Sequence, residues 1–136
     1  IGLPIEVRME NIMDTPIRNA SVVVLNFTLQ FLDREQRQAL VNRIASGMRP
    51  GGVLIVSEKI CFEDESEQSD QTTWHHEFKR TQGYSDLEIA QKRNALENVL
   101  VPESEAAHFN RFKQAGLGRP RRWFQCFSFA SYIAFK

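Results

Sequence analysis

One arginine lies where the sequence predicts an apolar helix face. Ser85-Asp-Leu-Glu88 is a capping box that opens a helix. On that helix Arg93 follows Ile89 by four residues and precedes Leu96 by three, so the three side chains share one face. A guanidinium at such a position must extend to water, pair with an acid or bind an anionic ligand. Glu97 is the acid four residues on, and helical spacing alone favours that ion pair.

A second candidate is the asparagine that interrupts an apolar run. The β-branched residues of 21–25 predict a central strand buried on both faces, and Asn26 then stands at its carboxyl end. A buried amide lowers stability unless a partner satisfies it. Ligands of open α/β sheets bind beside the carboxyl ends of strands. Position alone leaves two interpretations equally open: Asn26 contacts a ligand, or it fixes the following turn.

Other polar residues indicate weaker chemistry. His75 and His76 are adjacent, so their side chains point in different directions, which favours a structural role on a helix over a metal pair. Arg119, Arg121 and Arg122 form a short basic cluster near a proline. Such a cluster suits contact with RNA, but on a neutral chain it is more often a solvated turn.

The composition is typical of one globular domain. The 136 residues are 42% hydrophobic, and 17 basic residues balance 17 acidic ones, so no net field attracts nucleic acid or an anionic membrane. No apolar run approaches the ~20 residues of a membrane span, and no targeting pattern is present, so we expect a cytoplasmic protein. Cys61 and Cys126 lie far apart without metal-ligand spacing, and we expect two free thiols and no bound metal.

Alternating strands and helices are expected to position these residues. Strand, helix and strand in succession predict parallel pairing through a right-handed crossover. Asp33 and Gln36 have capping-box spacing, and Leu40, Ile44 and Met48 recur every four residues as a buried stripe. The predicted elements are strands at 5–9, 21–25 and 53–56, a helix from Asp33 to the stop at Pro50-Gly51-Gly52, helices at 74–80, from Ser85 to about Leu100 and at about 103–115, two strands within 123–135, and loops at 10–20 and 63–70.

These elements predict a doubly wound α/β sheet with an antiparallel hairpin at its C-terminal edge. One domain is expected over residues 1–136, with a helical insertion at about 66–100. The aromatic residues expected in its core are Phe109, Phe112, Trp123, Phe124, Phe127 and Phe129.

Several stretches resemble known enzymes. Met48-Arg-Pro-Gly-Gly-Val-Leu-Ile-Val56, and Phe112-Lys-Gln-Ala-Gly-Leu117 before a terminal hairpin, are similar to class I S-adenosylmethionine-dependent methyltransferases, which have a Rossmann-like fold. Four further stretches resemble the bacterial carboxy-S-adenosyl-L-methionine synthase family over nearly the whole chain: Val23–Leu32, Trp74–Arg80 with Gly83–Ser85, Gln91–Val99 and Trp123–Phe127. The family's first strand, glycine-rich loop and following acidic residue are not among these residues, so we expect a portion of a longer chain.

The resemblance implies an enzyme that does not methylate. Members of the family take S-adenosylmethionine and prephenate and make carboxy-S-adenosylmethionine and phenylpyruvate. A tRNA carboxymethyltransferase then uses the product to build 5-oxyacetyl uridine at the wobble position. The resemblance also implies a homodimer, with the helical insertion as a plausible interface, and no direct binding of nucleic acid or membrane. Two alternatives remain open: an ordinary small-molecule methyltransferase, and a non-catalytic cofactor-binding or dimer-forming fragment.

The resemblance assigns roles to four residues. Asn11 and Ile12 match the pair that lines the family's adenine pocket, although the family usually has aspartate where this chain has Asn11. The asparagine oxygen still accepts a hydrogen bond from an amino group, whereas sequence alone favours a turn former at Asn11. Asn26 matches a strand-end asparagine that contacts the cofactor. Arg93 matches the arginine that holds the new carboxylate, and plausibly that of prephenate before it, through two parallel hydrogen bonds.

Overall fold

The structure, a computed structural model, describes residues 2–136. They form one mixed sheet of order β1-β2-β4-β3, in which β1 and β2 are parallel and the other pairs are antiparallel. The elements are β1 (Ala20–Asn26), a 3-10 turn (Leu29–Phe31), α1 (Arg34–Gly47), β2 (Met48–Lys59), α2 (Glu65–Thr81), α3 (Asp86–Leu96), α4 (Glu105–Gln114), β3 (Gly118–Cys126) and β4 (Phe129–Phe135). The predicted α/β architecture with an antiparallel C-terminal pair is confirmed.

The crossover from β1 through α1 to β2 follows the predicted pattern. Leu40, Ile44 and Met48 are buried and pack in one cluster with Leu54 and Val56 of β2. Burial of this stripe holds α1 against one face of the sheet, since removal of apolar area from water is the main stabilising term. α1 also contacts α4, whose Phe112 is fully buried in the same cluster. Asn26 at the end of β1 lies opposite Ser57 of β2.

The predicted strand at 5–9 is wrong. Residues 2–9 have no regular secondary structure, and the side chains of Ile5, Val7 and Met9 are exposed. An extended segment becomes a strand only where a neighbouring strand completes its backbone hydrogen bonds. Within residues 2–136 no strand pairs with this segment.

The prediction that 21–25 is a central strand buried on both faces is also wrong. In the described sheet β1 is an edge strand that pairs only with β2. Leu25 is buried against the core, but Val22 and Val24 on the other face are about half exposed, at 58% and 49%. The apolar run reports the preference of β-branched residues for strands, and that preference does not distinguish an edge from a centre.

Helix boundaries differ from the predicted ones where capping decides them. α2 begins at Glu65, inside the predicted loop at 63–70, because the Asp64 carboxylate accepts hydrogen bonds from the Ser66 and Glu67 N–H groups. The capping box of Ser85 and Glu88 is present, but α3 ends at Leu96, short of Leu100. Asp33 is the N-cap of α1, yet its side chain makes no capping hydrogen bond, so no capping box forms there.

Two aromatic residues predicted in the core lie outside it. Trp123 and Phe124 are 62% and 55% exposed. They belong to β3, an edge strand that pairs only with β4, so neither face of this segment is fully covered. Phe112 is fully buried as predicted, and Phe109, Phe127 and Phe129 are half-buried. Over residues 2–136, the search for a helix long and apolar enough to cross a membrane found none.

Candidate active site

Asn26 stands at the carboxyl end of β1 with its side chain exposed. Its backbone carbonyl accepts a hydrogen bond from the Thr28 hydroxyl at 3.2 Å, and the next N–H, of Phe27, donates to the Ser57 carbonyl at 2.7 Å. The Asn26 amide makes no hydrogen bond to any other described residue. The turn is therefore fixed through the backbone, and the amide is open to a ligand.

The turn after Asn26 has an unusual backbone. Phe27 has a φ of 52°, a left-handed conformation that a bulky residue rarely adopts without support from its surroundings. The Phe27 ring meets the edge of the Phe129 ring at a centroid distance of 6.0 Å. Strain of this kind concentrates at functional sites, and here it directs the chain sharply after the candidate ligand-binding amide.

A buried carboxylate holds the same turn. Glu58 of β2 has no exposed surface, and its two oxygens accept hydrogen bonds from Leu29 N–H at 2.8 Å and Gln30 N–H at 3.2 Å. Burial raises the pKa of Glu58 to about 7, although these N–H groups and the charge of Arg37 act in the opposite direction. Glu58 thus ties the end of β2 to the turn that follows Asn26.

Glu58 gives the folded state a predictable pH dependence. Its folded pKa of about 7 lies above the ordinary 4.5, so between these pH values the folded state binds more protons and the free energy of unfolding falls as pH rises. We expect Glu58→Gln to remove a decrease of up to about 3 kcal/mol between pH 4.5 and 7. Urea unfolding of the intact protein across this range measures the effect, with the exposed Glu77→Gln as control. Parallel pH profiles for wild type and Glu58→Gln would contradict the raised pKa.

A second buried network joins the turn to α4. The Glu103 carboxylate accepts from Arg37 Nη1 at 2.8 Å and from Arg111 Nη2 at 2.6 Å. Arg37 also donates to the carbonyls of Leu32 at 3.0 Å and Gln30 at 3.3 Å. Both ends of the turn are therefore anchored to one ion-pair network.

The network also determines the state of a buried histidine. Burial, followed by the positive charge of Arg111, lowers the pKa of His108 to about 4. The Nδ1 atom of His108 lies 3.2 Å from Arg111 Nη1, and a neutral ring can accept a hydrogen bond there. This network did not emerge from the sequence analysis.

Asn11 forms a turn, as the sequence alone favoured. Its side-chain oxygen accepts from Met13 N–H at 2.9 Å, and its carbonyl accepts from Asp14 N–H at 2.9 Å. Ile12 is half-buried and packs against the core cluster. An amide oxygen has two acceptor sites, so the bond to Met13 leaves one for a ligand amino group.

An arginine of α1 holds this turn in place. The two terminal nitrogens of Arg43 donate to the carbonyls of Met13 and Thr15, the latter at 2.6 Å, and one of them also lies 3.5 Å from the Ile12 carbonyl. The segment that carries Asn11 and Ile12 is therefore fixed to the crossover helix.

Arg93 is exposed on α3, and its predicted ion pair with Glu97 is not formed. Ile89 on the same helix is buried, and Leu96 is half-buried. None of the ion pairs formed within residues 2–136 involves Arg93, and its charge contributes to lowering the pKa of His76. The guanidinium is thus available to an anion from outside the described residues.

The weaker candidates have internal contacts. His75 of α2 stacks on Phe127 at 5.2 Å and meets the edge of Phe129 at 5.4 Å, consistent with the predicted structural role on a helix. Burial and then the charge of Lys79 lower the pKa of His75 to about 4. Residues 2–136 contain no group of three or more His, Cys, Asp or Glu side chains placed to hold a metal ion.

The basic cluster near Pro120 also has partners in the chain. Arg122 pairs with Glu105 at 3.2 Å, the Arg119 guanidinium lies 4.4 Å from the centre of the Phe135 ring, and Arg121 donates to the Pro120 carbonyl at 2.9 Å. These contacts fit the solvated-turn interpretation better than a dedicated surface for RNA.

The four residues to which the resemblance gave roles are not joined directly. No hydrogen bond or ion pair connects Asn11, Asn26 and Arg93 in the part of the chain that the structure describes. Asn26 is linked through Phe27, Phe129 and His75 to α2. Asn11 and Ile12 belong to the turn held by Arg43.

The chain is similar in sequence to curated proteins of one name. It is 57% identical over 134 residues to the carboxy-S-adenosyl-L-methionine synthase of Citrifermentans bemidjiense, covering 98% of this chain and 55% of that protein. It is 58% identical over 125 residues to the synthase of Cellvibrio japonicus, covering 92% of this chain and 51% of that protein. The chain therefore spans about half the length of the curated relatives it matches. No family model matches it.

Solved structures share the fold at low sequence identity. An O-methyltransferase family 2 protein from Planctomyces limnophilus, in complex with apigenin, matches 93% of this chain and 34% of its own with a TM-score of 0.63 and 19% identity. Human N-acetylserotonin methyltransferase in complex with SAM matches 95% of this chain and 33% of its own with a TM-score of 0.65 and 16% identity. The predicted class I methyltransferase-like fold is confirmed.

Proposed function

We infer from these relationships, which place the chain in the carboxy-S-adenosyl-L-methionine synthase family, that it is part of an enzyme acting on S-adenosylmethionine and prephenate. The products are carboxy-S-adenosylmethionine and phenylpyruvate. The observation that carries this proposal is the identity of more than half of the aligned residues along almost the whole chain. The fold alone supports an ordinary methyltransferase equally well.

The proposed reaction balances without a further reactant. Prephenate loses carbon dioxide and its ring hydroxyl as hydroxide, which leaves phenylpyruvate. A proton leaves the sulfonium methyl of S-adenosylmethionine, and the methyl carbon forms a bond to the carbon dioxide. The proton and the hydroxide together make water.

The described residues suit this chemistry in two places. Asn26 is exposed at a strand end and its amide has no partner among residues 2–136, so it can orient the cofactor without adding a negative charge. Asn11 and Ile12 supply an acceptor and an apolar surface for adenine on a turn that Arg43 holds. We assign cofactor binding to these three residues and to Arg93.

Arg93 is the residue that separates the proposed enzyme from a methyltransferase. Its guanidinium has no carboxylate partner among the described residues, and we assign it to the carboxylate carried by the product. A methyltransferase needs no carboxylate clamp near the reactive methyl group. Arg93 is in this proposal both a catalytic residue and a ligand of the product.

Product analysis of the intact protein tests the proposed function. S-adenosylmethionine and prephenate are incubated with the protein, and mass spectrometry follows carboxy-S-adenosylmethionine and phenylpyruvate. Formation of both in equal amounts supports the proposal. Methylation of a small-molecule acceptor without a carboxylated product would favour the methyltransferase, and cofactor binding without any turnover would favour a non-catalytic role.

Replacing Asn11 with aspartate in the intact protein provides a separate test of the adenine pocket. Aspartate retains the acceptor for Met13 N–H and adds a charged acceptor, so we expect the affinity for S-adenosylmethionine to rise or stay unchanged. Calorimetry measures the affinity, with Asn110→Asp on the exposed side of α4 as control. A clear loss specific to Asn11→Asp would indicate that the pocket is adapted to the amide.

The remaining parts of the proposal concern partners and place. We propose a cytoplasmic homodimer in which α2 and α3 contribute to the interface, and a tRNA carboxymethyltransferase that uses the product at the wobble uridine. Trp74, Phe78 and Leu87 on these helices are each at least half exposed, which favours a covered face in the assembly. Sedimentation of the intact protein that showed only monomer at working concentration would count against the dimer.

A further inference from the structure

Three lysines from different elements lie close together beside α2. Lys59 is the last residue of β2, Lys79 belongs to α2, and Lys92 belongs to α3. They are near enough that, after burial, the charges of Lys92 and Lys59 lower the pKa of Lys79. We call these three residues the lysine cluster. The same charges act on His75 and His76, so both imidazoles border the cluster.

The cluster has no compensating acid among the described residues. None of the ion pairs formed within 2–136 involves Lys59, Lys79 or Lys92. The acids on the neighbouring helices are already engaged. Glu77 and Asp86 both pair with Arg80, at 2.5 Å and 2.7 Å.

Glu88 is also occupied, because it accepts from the N–H and the hydroxyl of Ser85 in the capping box. A chain without net charge therefore concentrates three unpaired cations in one place, and Lys59 and Lys79 are half-buried there. Since partly buried like charges repel one another, such a group is stabilised by a bound anion.

The cluster lies on the same side of the sheet end as Asn26. Lys59 is opposite Phe129 in the β2–β4 ladder, and the Phe129 ring contacts both Phe27, which follows Asn26, and His75. Lys79 follows His75 by one helical turn on α2. A path of direct contacts thus leads from the proposed cofactor contact to the lysine cluster.

We propose that the lysine cluster binds a carboxylate of the second substrate, the dicarboxylate that donates the carboxyl carbon. This inference rests on the proposed function. A cation suits a carboxylate whose charge persists through the reaction, because a carboxylate that departs as carbon dioxide loses its charge in the transition state. The cluster therefore holds the carboxylate that phenylpyruvate retains, and Arg93 is left for the carboxyl group that is transferred.

Single lysine variants of the intact enzyme test this assignment. We expect Lys79→Met and Lys59→Met to raise the KM for prephenate by about tenfold to a hundredfold, because each loses a charge-assisted contact. The dissociation constant for S-adenosylmethionine and the Tm should change little. Lys79→Arg should restore most of the affinity, and Lys113→Met on the exposed side of α4 should match wild type. In wild type the KM for prephenate should also rise with ionic strength.

Two results separate this inference from the proposed function. If wild type forms the carboxylated product but the lysine variants keep the wild-type KM for prephenate, the cluster assignment is overturned and the proposed function stands. If wild type forms no product, the proposed function fails. Calorimetric titration with prephenate alone then decides the cluster: weaker binding to Lys79→Met supports it, and equal binding to wild type and variant overturns it.

Discussion

Replacing Arg93 with leucine in the intact enzyme is expected to weaken binding of carboxy-S-adenosylmethionine by about tenfold to a hundredfold or more, and to leave S-adenosylmethionine binding nearly unchanged. The reactive methyl of S-adenosylmethionine carries no carboxylate, whereas the product presents one to the guanidinium. Turnover with prephenate should fall at least as far. The fold should persist, because Arg93 is exposed on α3 and leucine is a good helix former.

Paired calorimetric titrations of the two ligands, followed by mass-spectrometric detection of the product, measure this difference. Gln91→Leu is the matched control, because it adds the same side chain to an exposed position of the same helix without removing a cation. Equal weakening of both ligands would make Arg93 a structural residue. Unchanged binding together with product formation would place the carboxylate clamp elsewhere.

Replacing Glu103 with alanine is expected to lower the free energy of unfolding by about 3–5 kcal/mol. Glu103 pairs with both Arg37 and Arg111, whose side chains are only 1% and 8% exposed. Its removal leaves two buried guanidinium groups without a carboxylate, and that uncompensated charge is the source of the large effect.

Urea unfolding of the intact protein at neutral pH measures the loss. Glu77→Ala serves as control, because the pair of Glu77 with Arg80 is exposed and such pairs contribute about 0–1 kcal/mol. A loss no larger than that of the control would mean that water reaches Arg37 and Arg111 in solution. Restored stability in a Glu103→Ala, Arg37→Met double variant would identify the buried charge as the cause.

The central part of the fold follows from the sequence because local patterns dictate it. The spacing of Leu40, Ile44 and Met48 predicts the buried face of α1, and the order strand, helix, strand predicts the parallel pair. Edge positions do not follow in the same way. Val22 and Trp123 have strong strand preferences, but their exposure depends on which strands lie beside them, and that is a property of the whole sheet.

The candidate site was predictable in position and less so in structure. The carboxyl-end position of Asn26 follows from the strand pattern, and the structure has it there. The left-handed Phe27 and the burial of Glu58 depend on contacts between β1, β2 and β4, so no local pattern announces them. The binding roles of Asn11, Ile12, Asn26 and Arg93 stay predictions.

One signal present in the sequence was not used. Arg37 precedes Leu40 by three residues and Ile44 by seven, so it lies on an apolar helix face in the way that singled out Arg93. The structure separates the two arginines: Arg37 is 1% exposed and pairs with Glu103, whereas Arg93 is exposed and has no such partner among residues 2–136. Helical spacing identifies an arginine that needs an explanation, and only tertiary contacts reveal which kind.

The strand order has a consequence for synthesis on the ribosome. β4 lies between β2 and β3, yet it is translated last of the four described strands. The β1–α1–β2 unit can assemble as it emerges, but the other edge of β2 waits for Phe129–Phe135, which follows several seconds later at roughly 5–20 residues per second. During that interval the nascent chain presents an open apolar edge, and we expect capture by chaperones to compete there with aggregation.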